Sequence, residues 1–209
     1  MKTQEKIDLS KLHKEEYAAP KKPVLLDIGP ATYLAISGQG EPGGPLFTQH
    51  IGALYAVAFT IKMTRKFAGE QDYAVGKLEA QWWCDGPEDN FAQVPKTQWR
   101  WRLLIRTPDF VKASELARAV EVLKKKGKTE PVEAVRLESV AEGRCVQMLH
   151  VGPYDREPET LAVMKAHAEK HGLKFHARHH EIYLSDPRRV PPEKLKTILR
   201  HPVTQAAAG

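Results

Sequence analysis

Two short segments of the chain place a carboxylate among large aromatic side chains. Glu181 stands two residues before Tyr183 in the run HHEIY, and Glu79 stands four residues before Trp83 in LEAQWW. Because alternate residues of a β-strand point to the same face, each carboxylate shares a face with its aromatic neighbour. A carboxylate beside aromatic rings is partly shielded from water, so we expect its pKa to rise and its basicity to increase. The pattern favours a general base in a groove.

A structural role for these two glutamates is the competing hypothesis. Arg106 and Arg200 occupy matching positions in the runs LIRTP and ILRHP, and each arginine could pair with one of the carboxylates. A single glutamate on a strand is also more often a surface residue than a catalytic one. Both hypotheses stay open at the level of the sequence.

The run HARHHEIY places His176, His179 and His180 close together, as in some metal sites. On a strand, however, His179 and Glu181 share one face while His180 points away, so no three ligands converge locally. A zinc-binding HExxH helix is absent, as are a Gly-x-Ser-x-Gly elbow and a phosphate-binding loop. We therefore expect no metal site and no cofactor.

Hydrophobic periodicity predicts the strands and helices that must position these residues. Helical spacing covers residues 47–63, 109–126 and 157–171. Runs rich in apolar and β-branched residues predict strands at 24–28, 32–40, 72–83, 99–108, 132–140, 144–152, 177–187 and 195–203. This mixture of strands and helices predicts an α+β fold.

The order of these elements in the first half of the chain recurs in the second. Each half has a pair of strands, a helix, a strand that carries a glutamate, and a last strand that ends in LIRTP or ILRHP. We therefore predict a polar lead-in (1–22), a single domain (23–203) of two repeats, about 24–108 and 109–203, and a tail (204–209). Repeats related by a pseudo-twofold axis predict an antiparallel sheet platform with helices on one face and a ligand groove on the other.

Composition narrows the class of protein. The 209 residues are 42% hydrophobic and 28% charged, which is typical of a globular protein rather than a disordered one. No apolar run approaches the roughly 18 residues of a membrane span, and the charged N-terminus lacks the apolar core of a signal peptide. Two cysteines, Cys84 and Cys145, are too few for a disulfide framework. We expect a cytoplasmic protein, with a monomer as the default.

The net charge of +6 is concentrated in two basic patches, at residues 124–128 and 188–200. Lysine-rich runs such as KKKGK are typical of the solvated end of a helix. No recognition helix or aromatic RNA-binding strand accompanies the basic residues, so we expect no nucleic-acid partner.

Several runs taken together resemble the GyrI-like family of small-molecule-binding proteins, over about residues 24–203. They are YLAISGQGEPGGPLF, LYAVAF, LEAQWW, WRWRLLIRTPDF, EGRCVQMLHVGPYDREPET, HHEIYLSDPRR and KLKTILRHPV. The resemblance implies a pair of SHS2-type modules around a pseudo-twofold axis, with a ligand groove between them. Many relatives carry this module behind a DNA-binding helix-turn-helix, which this sequence lacks, so the resemblance implies a stand-alone protein.

The sequence is most similar to a stand-alone subfamily, the cyclopropanoid cyclopropyl hydrolases. These enzymes open the strained ring of DNA-alkylating natural products such as yatakemycin and so detoxify them. The resemblance implies an aromatic cage with Glu181 at its centre, and the strand pattern adds Glu79 as a ligand-binding residue. The cage residues carried over by motif are Tyr55, Trp83, Trp101, Tyr154 and Tyr183.

The implied reaction needs a base for water and a donor for the developing oxyanion. We predict Glu181 as the base and Tyr154 as the donor, with Tyr55 as the alternative donor. A non-catalytic module that sequesters or senses planar, often cationic, ligands is the second hypothesis. A topoisomerase inhibitor, as in one branch of the family, is the third, and the basic surface argues against it because it does not mimic DNA.

Overall fold

A computed structural model of the chain describes residues 5–85, 94–127 and 131–206. The five α-helices of these segments are α1 (Leu9–Leu12), α2 (Lys14–Tyr17), α3 (Pro45–Phe67), α4 (Ala113–Lys125) and α5 (Glu157–Lys170). The strands are β1 (Val24–Ile28), β2 (Ala31–Gln39), β3 (Leu78–Trp83), β4 (Arg100–Arg106), β5 (Arg136–Val140), β6 (Gly143–Val151), β7 (Leu173–Phe175), β8 (His179–Tyr183) and β9 (Lys196–Gln205). The predicted α+β class is confirmed.

The strands of the described residues form one antiparallel sheet whose order reflects the internal repeat. Eight strands follow the order β1-β6-β9-β8-β3-β4-β2-β5, and β7 pairs with β9 beside this path. If β1 is exchanged with β5, β2 with β6, β3 with β8 and β4 with β9, the same order results, read from the other end of the sheet. A pseudo-twofold axis therefore passes between β3 and β8. The first strand of each half pairs with a strand of the other half, β1 with β6 and β5 with β2.

The helices α3 and α5 cover the same face of this sheet. Leu54, Val57 and Ile61 of α3 pack on inward residues of β2, β3 and β4, and Met164 and Ala168 of α5 pack on β6 and β9. Burial of each of the larger side chains, such as Leu54 and Met164, stabilises the folded state by roughly 1.5–3 kcal/mol. This packing fixes the two helices on either side of the sheet centre. We call this face of the sheet the helix face and the other the strap face.

The strap face is covered by the N-terminal residues, which were expected to be only a polar lead-in. They form α1 and α2, and Tyr17 is buried against Ile182 and Ile198. Ile7 makes an isolated bridge to Tyr73, and the Pro20 carbonyl accepts a hydrogen bond from the Leu149 amide. The sequence pattern did not predict this packing, because few of the segment's side chains are apolar.

Other element boundaries differ from the predictions in informative ways. The strand predicted over 72–83 begins only at Leu78, and residues 72–77 are not part of it. Gly76 lies so close to the backbone of Arg106 that a Cβ at this position would be 2.9 Å from the Arg106 carbonyl oxygen. The short β7 was not predicted, and α3 is longer than expected at both ends. Residues 86–93, between the strands predicted over 72–83 and 99–108, lie outside the described residues, as do Lys128 of the first basic patch and residues 207–209 of the tail.

None of the helices in these segments is long and apolar enough to cross a membrane.

Candidate functional site

A large cavity opens on the helix face, between α3 and α5, with β3 and β8 as its floor. We call it the central cavity, and its volume is about 1980 Å³. Typical ligand sites measure roughly 300–1,000 Å³, so the space suits a large or extended molecule. The groove was expected on the face opposite the helices. It lies instead on the helix face, because the pseudo-twofold axis separates the two long helices and leaves the sheet uncovered between them.

The strand β8 directs three polar side chains into the cavity floor. Alternation along the strand points His179, Glu181 and Tyr183 to the helix face, and all three line the cavity. The Tyr183 hydroxyl donates a hydrogen bond to Glu181 Oε2 (2.6 Å) and accepts one from Trp82 Nε1 (3.2 Å). His179 Nε2 lies 3.3 Å from Glu181 Oε1. The Glu181 carboxylate is therefore held by neighbours on both oxygens.

A second carboxyl group, from Glu157, reaches the same place from the first residue of α5. The short 3-10 helix Tyr154–Arg156 precedes it, and Pro158 occupies the first helical turn, where proline needs no donor. Single ligand atoms of Glu157, His179 and Glu181 lie within 4.8 Å of one another. Glu157 is 7% exposed, and its Oε1 has no hydrogen-bond partner in the described segments.

The two carboxyl groups have opposite protonation preferences. Burial and the repulsion from Glu181 raise the pKa of Glu157 to about 10. Burial alone would also raise the pKa of Glu181, but contacts with His179, Tyr183 and Glu157 outweigh it and lower the pKa below the usual range. At neutral pH the floor thus holds one carboxylic acid and one carboxylate. The raised pKa that we expected for Glu181 belongs instead to Glu157.

Aromatic rings form the walls around this floor. Phe47 stacks on Trp82 with ring centroids 5.4 Å apart, and Tyr154 meets Tyr183 edge to face at 6.1 Å. Tyr55 from α3 also lines the cavity. Such rings bind flat apolar molecules by stacking, which contributes about 0.5–1.5 kcal/mol per good pair beyond the burial of area.

Trp83 and Arg178 form one rim of the cavity. The Arg178 guanidinium lies 3.7 Å from the centroid of the Trp83 ring. Ala177, the residue before this arginine, has a φ of 57°, a left-handed conformation that non-glycine residues rarely adopt. The surrounding fold holds this strained turn and thereby fixes the arginine over the ring.

The structure brings five of the predicted site residues to one cavity. Glu181 and Tyr183 are on its floor, and Tyr55, Trp83 and Tyr154 are in its walls. Tyr154 is 39% exposed, and burial of its ring together with nearby carboxylates raises its pKa to about 12, so its hydroxyl stays protonated at neutral pH.

Two predicted site residues lie elsewhere. Trp101 is completely buried under α3, with its ring edge to face with Phe47 at 5.3 Å. It packs so tightly on Gly38 that a Cβ there would approach its ring to 2.6 Å. Glu79 is completely buried on the strap face, with the Tyr17 hydroxyl donating to its Oε1 (2.7 Å).

The strand register explains why Glu79 and Glu181 are not counterparts. Glu181 lies opposite Leu199, the residue before Arg200, whereas the residue opposite Ile105, just before Arg106, is Leu78. The repeat therefore matches Glu181 with Leu78, one position away from Glu79. Because a shift of one residue reverses the face of a strand, the two carboxylates point to opposite sides of the sheet.

Buried charges on the strap face satisfy one another rather than line a cavity. His180 lies between Glu79 (3.1 Å) and Glu142 (2.9 Å). Arg200 donates to Glu142 (2.9 Å) and to the backbone carbonyl of Glu16 (2.8 Å). The hypothesis that each arginine pairs with one of the two strand glutamates is wrong for Glu181. Arg200 pairs instead with Glu142. This network anchors the N-terminal segment.

Sequence analysis missed Glu157, Trp82 and the role of His179. An acidic residue in the first turn of a helix is favourable for the helix dipole and gives no signal of function. Trp82 points to the face that packs under the helices, and that face also contains the cavity.

Comparison with known proteins agrees with this architecture. A family model described as a GyrI-like small molecule binding domain matches residues 105–204. An uncharacterized conserved protein from Listeria innocua is 40% identical, with a TM-score of 0.89, and the match covers 95% of this chain and 100% of that chain. A protein from Listeria innocua described as a hydrolase is 39% identical, with a TM-score of 0.85 and the same coverage.

A more distant structure shares the fold alone. The C-terminal domain of EcmrR is 11% identical, with a TM-score of 0.57 over 88% of this chain and 98% of that chain. No protein of curated function matches the chain.

Proposed function

The chain belongs to the GyrI-like family of small-molecule-binding domains, and from that premise we propose that it binds a planar, largely apolar compound in the central cavity and hydrolyses it. The 39% identical Listeria innocua protein described as a hydrolase supports an enzyme rather than a receptor. The substrate class we propose is the cyclopropanoid DNA-alkylating compounds, such as yatakemycin, and the biological role is their detoxification.

One observation carries the proposal. Glu181 lies on the floor of an aromatic cavity as a carboxylate, oriented by the Tyr183 hydroxyl at 2.6 Å and adjacent to the protonated Glu157. The lowered pKa makes Glu181 a weaker base than the sequence led us to expect, but it keeps the group ionised at neutral pH. Its fixed position beside the cavity is what suits it to activating a water molecule. The aromatic walls would orient a flat substrate above it.

The reaction balances with these groups. Water bonds to the methylene carbon of the cyclopropane while Glu181 takes its proton, and the bond from that carbon to the ring breaks. The electron pair moves through the dienone, which becomes an aromatic phenolate. The Tyr154 hydroxyl stabilises the developing oxyanion, because its pKa of about 12 keeps it a hydrogen-bond donor. Glu157 keeps its proton and supports Glu181 in its orientation.

Product analysis with a matched variant tests this assignment. The protein is incubated with yatakemycin, and products are followed by mass while quenching of the tryptophans in the cavity reports binding. Glu181→Gln should retain binding and lose about 10²–10⁴-fold in turnover. Glu169→Gln, an exposed change on α5, is the control and should leave both unchanged. Equal turnover in Glu181→Gln would exclude this residue as the base.

A binding-only function is the second candidate, and the charge of the floor favours it. One carboxylate under aromatic walls attracts a flat cation by charge and by cation–π contacts. In that case Glu181→Gln would weaken the binding of planar cations, and no product would form with any cyclopropanoid compound.

A further inference from the structure

We propose that Glu157, His179 and Glu181 form a binding site for a divalent transition-metal ion, and that Zn²⁺ matches their donor set best. The site would occupy the floor of the central cavity. It does not depend on the proposed hydrolysis, because a metal ion can bind these three side chains whatever compound fills the rest of the cavity.

The geometry of the three side chains suits a single ion. One ligand atom from each residue lies within 4.8 Å of the other two. Tetrahedral zinc with bonds of about 2.0–2.1 Å places its ligand atoms roughly 3.3 Å apart. Small side-chain rotations toward a common centre would bring the three ligand atoms to this separation without movement of the backbone.

Unsatisfied polar atoms provide the independent evidence for a missing partner. Glu157 Oε1 is buried without a hydrogen bond among the described residues, on a side chain that is 7% exposed. His179 Nδ1 also lacks one there, and His179 Nε2 has only the 3.3 Å ion-pair contact with Glu181 Oε1. Buried polar groups are nearly always paired. A metal ion bound by one atom of each residue would give Glu157 Oε1 the partner that it lacks.

The donor set selects among metals. One imidazole and two carboxylates suit zinc, while Mg²⁺ and Ca²⁺ prefer six or more oxygen ligands. Three protein ligands leave a fourth position that faces the cavity, as in catalytic rather than structural zinc sites. The Tyr183 hydroxyl on Glu181 supplies an outer hydrogen bond of the kind that orients metal ligands.

Zinc ligands must be deprotonated, so the affinity of the site for Zn²⁺ should fall as pH decreases. The ion would also occupy Glu181, so Zn²⁺ should inhibit any reaction that uses this carboxylate as a base.

A surface histidine pair is the main competitor for zinc. His167 and His171 lie one turn apart near the end of α5, with ring centroids 4.4 Å apart. The double variant His167→Ala/His171→Ala removes this pair without touching the cavity, so it serves as the control.

Isothermal titration of the metal-free protein with ZnCl₂ tests the proposal. We expect one site in the wild type and in the double variant. His179→Ala and Glu157→Gln should each lose at least ~10-fold in affinity, and circular dichroism of both variants reports that they are folded. Binding lost in the double variant but kept in Glu157→Gln, or no binding at all, would overturn the proposal.

The hydrolysis assay keeps the two proposals separate. Turnover is measured with the metal-free protein in the presence of a chelator, and zinc binding is measured without substrate. Turnover without zinc binding refutes only the metal site. Zinc binding without turnover refutes only the hydrolase.

Discussion

The buried His180 should make the stability of the protein depend on pH. Its ring is completely buried between Glu79 and Glu142, at 3.1 and 2.9 Å. Burial by itself would lower its pKa, but these carboxylates outweigh burial and raise the pKa to about 9. Among its neighbours, Glu142 has a pKa lowered to about 2, and the pKa values of Tyr17 and Arg200 are raised, so these three groups do not titrate near neutrality.

The sign and size of the effect follow from the two pKa values. An unfolded histidine titrates near pH 6.5, so the charged His180 stabilises the folded state fully below that pH. The contribution is lost as pH rises toward about 9. The shift of roughly 2.5 units corresponds to about 3 kcal/mol.

A variant isolates this contribution from that of Glu157, which also holds a proton above its usual range. Glu157 is present in both the wild type and His180→Gln, so its effect cancels in their difference. Urea unfolding followed by circular dichroism, at about pH 6 and about pH 9.5, measures the free energy of unfolding of each. The wild type should exceed the variant by about 3 kcal/mol more at the lower pH.

Exposed His176 gives the matched control, since His176→Gln should leave the pH dependence unchanged. A difference between the wild type and His180→Gln that is the same at both pH values would refute the reasoning. It would mean that folding does not raise the pKa of the His180 ring.

Three further predictions test other parts of the structure. Gly38→Ala should lower the stability by about 1–3 kcal/mol, because its Cβ would meet the Trp101 ring at 2.6 Å; a thermal melt equal to that of wild type would contradict this packing. Tyr17→Phe should cost about 1–3 kcal/mol in urea unfolding, because buried Glu79 loses a 2.7 Å hydrogen bond, and ligand affinity should not change. Tyr183→Phe should raise the pKa of the Glu181 carboxyl group, since it removes a hydrogen bond to the charged form. The acidic limb of the pH–rate profile should therefore move to higher pH. A limb that does not move would exclude an effect of the Tyr183 hydroxyl on the catalytic carboxylate.

Alternation within one strand was enough to predict part of the site. It placed His179 and Glu181 on one face and His180 on the other, as the structure has them. The repeat likewise predicted the two related halves, since the matching motifs place Arg106 on β4 and Arg200 on β9, at equivalent positions on either side of the β8–β3 pair.

Relations between distant segments were not accessible in the same way. The face of Glu79 relative to Glu181 depends on the register of β3 against β8, which a shift of one residue reverses. The carboxyl of Glu157 arrives from a helix start over 20 residues earlier in the chain, where an acidic residue is ordinary. Trp101 shares its sequence pattern with the cavity-lining tryptophans, and only the three-dimensional packing on Gly38 and Phe47 shows that its ring is in the core.

The central claim is that water is added to a strained ring at Glu181. The most direct test is incubation with yatakemycin in ¹⁸O-labelled water, followed by the mass of the product for the wild type and for Glu181→Gln. We predict a product that gains one water with the heavy oxygen in the wild type and essentially none in the variant. Unchanged yatakemycin with the wild type, or a labelled product formed equally by Glu181→Gln, would contradict the account.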